Sequence, residues 1–356
     1  MKTPLITLLS ILAPACSLAQ TWTPQNSGTM ASLRGISVVN AKVVWASGSG
    51  GTWVRTTDGG ATWQTGTVEG AQALDFRGVR AIDSDNAYLL SSGTGEQSRV
   101  YKTNNGGQSW RLQFTNPDAK GFFDAIAFWD ARHGMIAGDP IDGQITVFTT
   151  DDGGENWARQ RTVASLPQEG TFAASNSCLT IREGGEAWIA TGGLSGSRVL
   201  HSKDNGRSWT AAITPMRHDG AGAGAFSLAF ADSMHGMAVG GDYSKDKEKD
   251  GNIAITADGG RTWTAPSPSS PNQSSPNGYR SAVLYVADQN LWLAVGTSGS
   301  DFSRDGGNTW TSLGTTAYNA LSGAPDGARS DAVWAAGGRG RIAKLSIIPD
   351  SSSMAR

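Results

Sequence analysis

Cysteine is nearly absent from this 356-residue sequence, which contains only Cys16 and Cys178. Cys16 lies in the N-terminal segment described below, so a chain without that segment would hold one cysteine and no internal disulfide. Cys178 stands in the apolar run SNSCLTI, which indicates a buried core residue rather than a reactive thiol. The fold must therefore be held together by something other than disulfide bonds.

Charge and long apolar runs are also scarce. Charged residues make up 17% of the chain and the formal net charge is −2, so nothing favours nucleic acid or an anionic membrane as a partner. After the N-terminal segment no run approaches the ~20 apolar residues of a membrane-spanning helix, and no stretch has sustained helical periodicity. The four histidines form no metal-binding pattern, and we expect neither a metal nor a cofactor.

The first 19 residues have the pattern of a secretory signal peptide. Lys2 supplies a positive charge, residues 5–13 are apolar, and Ser17 and Ala19 place small side chains at the −3 and −1 positions of a cleavage site before Gln20. We therefore expect an exported protein, periplasmic or extracellular. A lipoprotein anchored at Cys16 is the alternative, although APAC is a poor match to a lipoprotein signal.

Glycine and tryptophan, by contrast, are plentiful, with 47 and 13 residues, and both belong to a repeat. The pattern Ser/Thr-x-Asp/Asn-x-Gly-x-x-Trp occurs six times, and successive tryptophans are separated by 47, 47, 52, 54 and 47 residues. This near-constant period indicates six copies of one structural unit. The acidic or amide residue and the tryptophan of each copy are Asp58 and Trp63, Asn105 and Trp110, Asp152 and Trp157, Asp204 and Trp209, Asp258 and Trp263, and Asp305 and Trp310.

The sequence that flanks each copy of the motif has the pattern of four short strands, three before the motif and a more polar one after it. Four strands per repeat are typical of a β-propeller blade. AVWAAGGRGRIAKL at 332–345 is a seventh, incomplete unit, and TWTPQNS at 21–27 has the pattern of its missing outer strand, with Trp22 in the tryptophan position. We predict an all-β, monomeric, seven-bladed β-propeller over residues 20–348, closed by its N-terminal strand, with a disordered tail at 349–356. Closure would take the place of disulfides.

The repeated motif itself is explained by a chain reversal between the third and fourth strands. Asp or Asn accepts backbone N–H bonds of the turn, the glycines supply positive φ, and the tryptophan packs between sheets. A calcium site on Asp58 is the alternative, but it would need several more oxygen ligands. The motif therefore predicts a fold and not a function.

These repeats resemble the Asp-box (BNR) repeats of sialidases, sortilin-type receptors and many exported bacterial propellers. The seven-unit layout, the Tyr/Phe-Arg inner strands and the phrase GMIAGDP…FTTDDGGENW are most similar to the photosystem II stability/assembly factor family. The resemblance covers nearly the whole chain after the signal peptide. It implies a protein partner in the envelope, and it leaves the exact function open because enzymes and scaffolds share such repeats.

Alignment of the first strands places one residue of each blade at the mouth of the central channel, with Tyr279 and Tyr318 among the aromatic neighbours. Three arginines around one axis would suit an anionic ligand, a glycan or an acidic peptide segment. The assembly-factor family carries arginines in such strands, which the three arginines here resemble. Alternatively, the arginines pair with Asp75, Asp124 and carbonyl groups and simply fill the channel. The aligned residues are Arg34, Arg77, Asp124, Asn176, Ser227, Arg280 and Asn319.

A catalytic alternative uses the same residues. In a sialidase-like glycoside hydrolase the three arginines would bind the substrate carboxylate, Tyr279 or Tyr318 would be the nucleophile and Asp124 the acid. The chain has seven units where sialidases have six, and the repeat places no glutamate near the channel. We therefore expect a non-catalytic protein-binding propeller, and we retain the loop MRHDGAGAG, with His218, as a further candidate binding loop.

Overall fold

Seven antiparallel sheets follow one another along the chain and form the blades of a closed ring. The computed structural model describes residues 18–266, 275–324 and 329–349. Within these residues helix is limited to five short 3-10 turns, at Gly95–Gln97, Glu183–Gly185, Tyr243–Lys245, Ala287–Gln289 and Ser330–Ala332. No described helix has the length and apolar character needed to cross a membrane. The all-β, seven-bladed prediction is confirmed.

The strands are numbered in chain order, beginning with β1 (Leu18–Asn26). Blade 1 consists of β2 (Leu33–Val38), β3 (Val44–Gly48), β4 (Thr52–Thr56) and β5 (Gln64–Thr67). Blade 2 consists of β6 (Phe76–Ala81), β7 (Ala87–Ser91), β8 (Arg99–Thr103) and β9 (Arg111–Thr115). Blade 3 consists of β10 (Phe123–Phe128), β11 (Gly134–Ile141), β12 (Gln144–Thr150) and β13 (Ala158–Arg159).

The remaining blades include two short extra strands, β14 (Glu169–Gly170) and β17 (Gly192–Gly193). Blade 4 consists of β15 (Leu179–Arg182), β16 (Glu186–Ala190), β18 (Arg198–Ser202) and β19 (Thr210–Ile213). Blade 5 consists of β20 (Ala223–Phe230), β21 (Gly236–Asp242) and β22 (Ile253–Thr256), with β17 and β14 added beside β20. Blade 6 consists of β23 (Ala282–Val286), β24 (Leu291–Gly296), β25 (Gly299–Ser303) and β26 (Thr311–Gly314). Blade 7 consists of β27 (Ala320–Gly323), β28 (Val333–Ala336), β29 (Arg341–Pro349) and β1.

The N-terminal strand closes the ring, as the sequence predicts. β1 pairs antiparallel with β29, from Leu18 opposite Pro349 to Asn26 opposite Arg341. Trp22 takes the place of the motif tryptophan: its indole N–H donates to Ser300 Oγ of blade 6 at 3.0 Å. Residues 1–17 and 350–356, where most of the predicted signal peptide and tail fall, lie outside the described residues.

The turn of the repeated motif has the same bonding in all six copies. In the first, Thr56 Oγ1 donates to Asp58 Oδ1 at 2.8 Å and accepts the Gly60 N–H at 3.0 Å. Asp58 Oδ1 also accepts the Thr62 N–H at 2.9 Å. The hydrogen bonds from Thr62 lower the pKa of Asp58 to about 2, so the carboxylate stays ionised. The motif's polar residues are therefore occupied by the turn.

The second glycine of the motif lies against the preceding blade. Gly60 has φ +93°, and a Cβ there would lie 2.5 Å from the Trp334 ring of blade 7. Four other copies contact a large side chain of the blade before them in the same way; these pairs are Gly107 with Trp53, Gly206 with Met135, Gly260 with Trp188, and Gly307 with Met237. Glycine is therefore required both by the backbone conformation and by the close approach.

The apolar core is divided into layers between neighbouring blades. Inner strands such as β3 and β7 are buried along their whole length, because blades cover both faces, whereas outer strands such as β5 are mostly exposed. The motif tryptophans belong to these layers: Trp63 packs edge-on against Trp334 at 5.6 Å, and Trp110 against Trp45 at 5.9 Å. Cys178 is fully buried in one such layer, as predicted.

Blade 5 departs from the four-strand prediction. After its motif, the described residues form only a single bridge between Ile255 and Thr264, and no regular outer strand. The Pro/Ser-rich sequence APSPSSPNQSSPNGY, residues 265–279, follows directly, and its residues 267–274 lie outside the described part of the chain. Pro266 cannot donate to a ladder, which is consistent with the pairing of this segment ending at Thr264.

Replacing the second glycine of a motif should destabilise the ring more than replacing the first. We expect Gly60→Ala to lower the free energy of unfolding by about 3 kcal/mol, from left-handed strain plus overlap with Trp334. Gly306→Ala, which has φ +72° and nothing within 4 Å of its Cβ, should cost only about 1 kcal/mol. Urea denaturation measures both, and equal losses would show that contact with the preceding blade contributes nothing.

Candidate binding site at the channel mouth

A cavity of about 860 Å³ occupies one end of the central channel. Its wall is formed by one residue from each of six blades and by loops above and within the channel. The inner-strand residues are Arg34, Arg77, Asp124, Phe226, Ser281 and Asn319. All six of these blades were expected to contribute a channel residue; the predicted residue lines the cavity in four of them, and its sequence neighbour does so in blades 5 and 6.

β-bulges aim these side chains into the cavity. In blades 1, 2, 3 and 5 the first strand shifts register by one residue against the second strand, and the extra residues are Arg34, Arg77, Asp124 and Phe226. A bulge places two residues opposite one and redirects the extra side chain. The bulged residue of each of these four strands therefore lines the cavity.

Arg280 does not line the cavity, contrary to the three-arginine ring that the sequence alignment predicts. Its guanidinium is 1% exposed and lies inside blade 6, where Nε donates to Asp301 Oδ2 at 2.8 Å. The neighbouring Ser281 faces the cavity instead. A shift of one residue in a strand moves a side chain to the opposite face, so an alignment error of one residue produced the wrong assignment. The same error selected Ser227 instead of Phe226.

The cationic side of the cavity consists of Arg34 and Arg77. Arg77 Nε donates to Asp75 Oδ2 at 2.8 Å, so the predicted pairing with Asp75 is present. Arg34 forms no hydrogen bond and no ion pair with any residue in the described part of the chain. Burial and the nearby Arg77 lower the pKa of Arg34, although an arginine side chain stays charged. The guanidinium of Arg34 therefore lines the cavity as a cation that has no hydrogen bond to the described residues.

Two carboxyl groups of the cavity, those of Asp124 and Asp139, share Thr171 as a hydrogen-bond partner. Asp124 Oδ2 accepts from Thr171 Oγ1 at 2.6 Å, and Asp139 Oδ1 accepts the Thr171 N–H at 3.0 Å. Burial, reinforced by the charge of Asp139, raises the pKa of Asp124 well above its usual range. Burial also raises the pKa of Asp139 to about 6. Both carboxyl groups therefore bind a proton more tightly than an exposed aspartate does.

The third part of the wall is aromatic. Phe172 and Phe226 stack with ring centroids 3.8 Å apart, and Tyr279 packs edge-on against Phe226 at 4.8 Å. Tyr243, at 58% exposure, stands at the rim. Tyr279 is 3% exposed, and burial raises the pKa of its phenol. The cavity thus combines cations, carboxyl groups and flat apolar surface.

Residues 171–177 form the floor of this cavity. Residues 171–174 line it, whereas residues 175–177 line a smaller cavity farther along the channel. Ser175 Oγ donates to the carbonyl of Ser281 in blade 6 at 2.7 Å, and Asn176 Oδ1 accepts the Ile126 N–H of blade 3 at 2.8 Å. The segment therefore crosses the channel and joins opposite blades. Asn176, predicted at the mouth, is one of these cross-links, with left-handed backbone (φ +67°).

The remaining predicted residues divide between cavity and scaffold. Asn319 lines the cavity and donates to the Leu33 carbonyl at 2.9 Å. Tyr318 is buried between blades 6 and 7, 5.4 Å from the Trp22 ring, and does not line the cavity. In the loop MRHDGAGAG, Ala221 lines the cavity, whereas His218 does not. The described residues contain no cluster of three or more metal-ligating side chains.

Sequence reasoning missed several residues of the wall, including Asp139, Thr171, Phe172 and Tyr243. Thr171, Phe172 and Tyr243 come from connections, and Asp139 lies in the irregular end of β11, where the pairing with β12 shifts register, so no repeat alignment identifies them. One signal was present: blade 4 is preceded by nearly twenty residues between its neighbour's outer strand and its own first strand, which is longer than a normal blade connection. A long insertion at a channel is a natural source of binding residues.

The fold defines the protein as a seven-bladed propeller of the kind seen in several solved structures. No protein-family model matches the chain, and no curated protein sequence matches it. A structure titled "YCF48 bound to D1 peptide" is 18% identical, with a TM-score of 0.61, over 92% of this chain and 97% of that chain. YCF48 from Cyanidioschyzon merolae is 16% identical, with a TM-score of 0.61, over 93% of this chain and 100% of that chain.

A third similar structure, that of U3-55K, is 15% identical with a TM-score of 0.58, over 92% of this chain and 98% of that chain. Identities this low establish the shared fold alone. The sequence resemblance to the assembly-factor family therefore gains a structural counterpart in YCF48 at the level of architecture.

The raised pKa of Asp139 predicts a specific pH dependence. Because the folded-state pKa of about 6 lies above the usual value for aspartate, protonation stabilises the fold below about pH 4, and this contribution is lost as the pH rises through 6. Asp139→Asn mimics the protonated form. The free energy of unfolding of this variant minus that of wild type should therefore be about 1–2 kcal/mol larger at pH 7.5 than at pH 4.5. Urea denaturation at the two pH values measures this difference.

Asp152→Asn provides a control of opposite sign. Hydrogen bonds from Asn156 hold the pKa of Asp152 at about 2, so this ionised carboxylate stabilises the fold above about pH 4 and loses that effect as the pH falls. Asn105 occupies the equivalent position in blade 2, so the turn accepts the amide. A pH-independent effect of Asp139→Asn would contradict the proposed burial of that carboxyl group.

Proposed function

We propose that this protein is a non-catalytic assembly or stability factor that binds a carboxylate-bearing segment of another protein in the channel-mouth cavity. The observation that carries the proposal is Arg34, a half-buried guanidinium that lines the cavity and has no partner among the described residues. The nearby Asp75 carboxylate raises the pKa of Arg34 less than burial and Arg77 lower it, and Asp75 is already paired with Arg77, so a ligand carboxylate is favoured there.

A peptide segment fits the cavity better than a small polar metabolite. The volume of about 860 Å³ lies near the upper end of the range for ligand pockets, about 300–1,000 Å³. The wall places the aromatic rings of Phe172, Phe226 and Tyr279 beside the arginines, so apolar and acidic side chains of one segment would both find partners. Support also comes from YCF48, which has the same fold and whose structure is titled as bound to a D1 peptide.

The glycoside hydrolase alternative loses its main support. It relies on three arginines around one substrate carboxylate, whereas Arg280 is paired with Asp301 inside blade 6. Its nucleophile, Tyr279, has a raised phenol pKa, which weakens it as a nucleophile. Turnover of a fluorogenic glycoside that Tyr279→Phe abolishes would reinstate this alternative.

The proposed place of action is the cell envelope. The apolar N-terminal segment with small residues at Ser17 and Ala19 supports export. A cut after Ala19 leaves residues 20–26, which pair with residues 341–347 and close the ring, on the mature chain. Export and closure are therefore compatible.

Arg34 and Arg77 should control peptide binding. On an array of synthetic twelve-residue peptides, we expect micromolar binding to peptides that combine acidic and aromatic residues. Arg34→Met should weaken it at least tenfold, because a charge-assisted hydrogen bond contributes about 1.5–3 kcal/mol. Arg161→Met, an exposed arginine that does not line the cavity, is the matched control. Equal binding by both variants, or a preference for neutral peptides, would rule the proposal out.

The N-terminus of the exported protein distinguishes the two modes of export. After expression with its own N-terminal segment in a bacterial host, intact mass should correspond to a chain that begins at Gln20 and lacks lipid. A lipid-modified chain that begins at Cys16 would instead identify a lipoprotein, and an uncleaved chain in the cytoplasm would exclude export. The Ala19→Arg variant, which disrupts the −1 position, should block cleavage.

A further inference from the structure

The second cavity of the channel, about 170 Å³ in volume, contains an arginine without a counter-charge. Its wall includes Ser37, Arg80 and Ser322, each of which lies three residues beyond a residue of the larger cavity on the same inner strand. Three residues of a strand span about 10 Å. The two cavities are thus stacked along the channel, with residues 171–177 between them.

Arg80 has little to hold it electrostatically. Its Nη2 donates to the Phe128 carbonyl of blade 3 at 3.1 Å, and its Nε is buried without a hydrogen-bond partner. No carboxylate in the described residues lies within ion-pair distance of it. Burial alone lowers its pKa, with no neighbouring acid to oppose the shift. A half-buried guanidinium whose Nε is enclosed and has no hydrogen-bond partner is in a costly state unless something supplies a negative charge.

The contact between blades does not require this charge. Ser37, Thr180 and Ser322 occupy the same position of their inner strands, opposite Trp45, Trp188 and Trp334. Each also bonds the backbone of the next blade, at 3.0, 2.6 and 3.2 Å. A hydroxyl group therefore suffices for the bond that Arg80 makes to blade 3. The positive charge of Arg80 is left without a structural role.

The other groups of the small cavity indicate what could meet this charge. The hydroxyls of Ser37 and Ser322 accept backbone N–H groups but donate to no acceptor in the described residues, so each retains a proton to offer. Apolar side chains, including Ile126, Leu179 and Leu321, form the rest of the wall. The site thus presents one cation, free hydroxyl donors and an apolar surface around one small cavity.

We propose that the small cavity is a binding site for a short aliphatic carboxylate, with the carboxylate at Arg80 and the serine hydroxyls and the alkyl chain against Ile126, Leu179 and Leu321. The volume would hold about five waters or an acid of two to four carbons. A multiply charged phosphate would leave charge unpaired against an apolar wall, and chloride would leave the apolar wall without a partner. The site is separate from the proposed peptide site and does not depend on it.

The test measures the melting temperature of the purified protein as sodium butyrate replaces sodium chloride at constant ionic strength. For wild type we expect a rise of about 2–4 °C at 50 mM butyrate, the size that corresponds to a dissociation constant of about 1 mM. Arg80→Met should abolish the shift, and neutral butyramide should produce none. Arg161→Met, an exposed arginine that lines neither cavity, is the matched control and should keep the full shift.

Four outcomes would overturn the proposal: no shift in wild type, an equal shift in Arg80→Met, an equal shift with butyramide, or loss of the shift in Arg161→Met. A crystal structure of the wild-type protein grown with butyrate is an independent measurement that needs no variant to fold. Butyrate density against Arg80 supports the proposal, and density only at other places overturns it.

Discussion

The ring depends on one contact, repeated from blade to blade: in five of the six motif turns a glycine lies on a large side chain of the blade before it. Trp334 covers Gly60 across the junction of the last and first blades, and Trp188 covers Gly260 in the same way. Because each turn needs its predecessor, no blade is complete by itself. β1 extends this dependence to the chain ends, where Trp22 bonds Ser300. Closure then leaves no sheet edge inside the ring, which explains how a chain without a disulfide maintains one arrangement.

The first strands of the blades, which border the channel, supply side chains to its cavities. Bulges in four of these strands turn Arg34, Arg77, Asp124 and Phe226 toward the axis. Each bulge interrupts the alternation at one residue only, and the other residues of the same strands, such as Leu33 and Phe76, remain in the apolar layers between blades. Binding groups and folding groups are thus separated in space: the former lie at the axis, and the latter lie in the turns and layers.

The insertion before blade 4 gives the channel its internal organisation. Its residues 171–177 connect opposite blades through Ser175 and Asn176, and they divide one channel into two cavities of different chemistry. The larger has two arginines, two carboxyl groups and an aromatic wall. The smaller has Arg80 alone, among hydroxyl and apolar groups. Each contains a guanidinium whose charge the described residues do not neutralise, and this supports the interpretation of both as binding sites.

The sequence by itself determined the blades, their number, the closing strand and the roles of the motif residues, because turn chemistry and packing are local and the repeat presents them six times. It also identified Arg34, Arg77, Asp124, Asn319 and Tyr279 as channel residues. Only the tertiary structure decided that Arg280 is buried and that Phe226 and Ser281 face the cavity, because the bulge of blades 1, 2, 3 and 5 is missing from the β23–β24 pairing of blade 6, and the sequence does not signal where a bulge forms. Likewise, Thr171 and Phe172 reach the site on a connection, whose course depends on packing against distant blades.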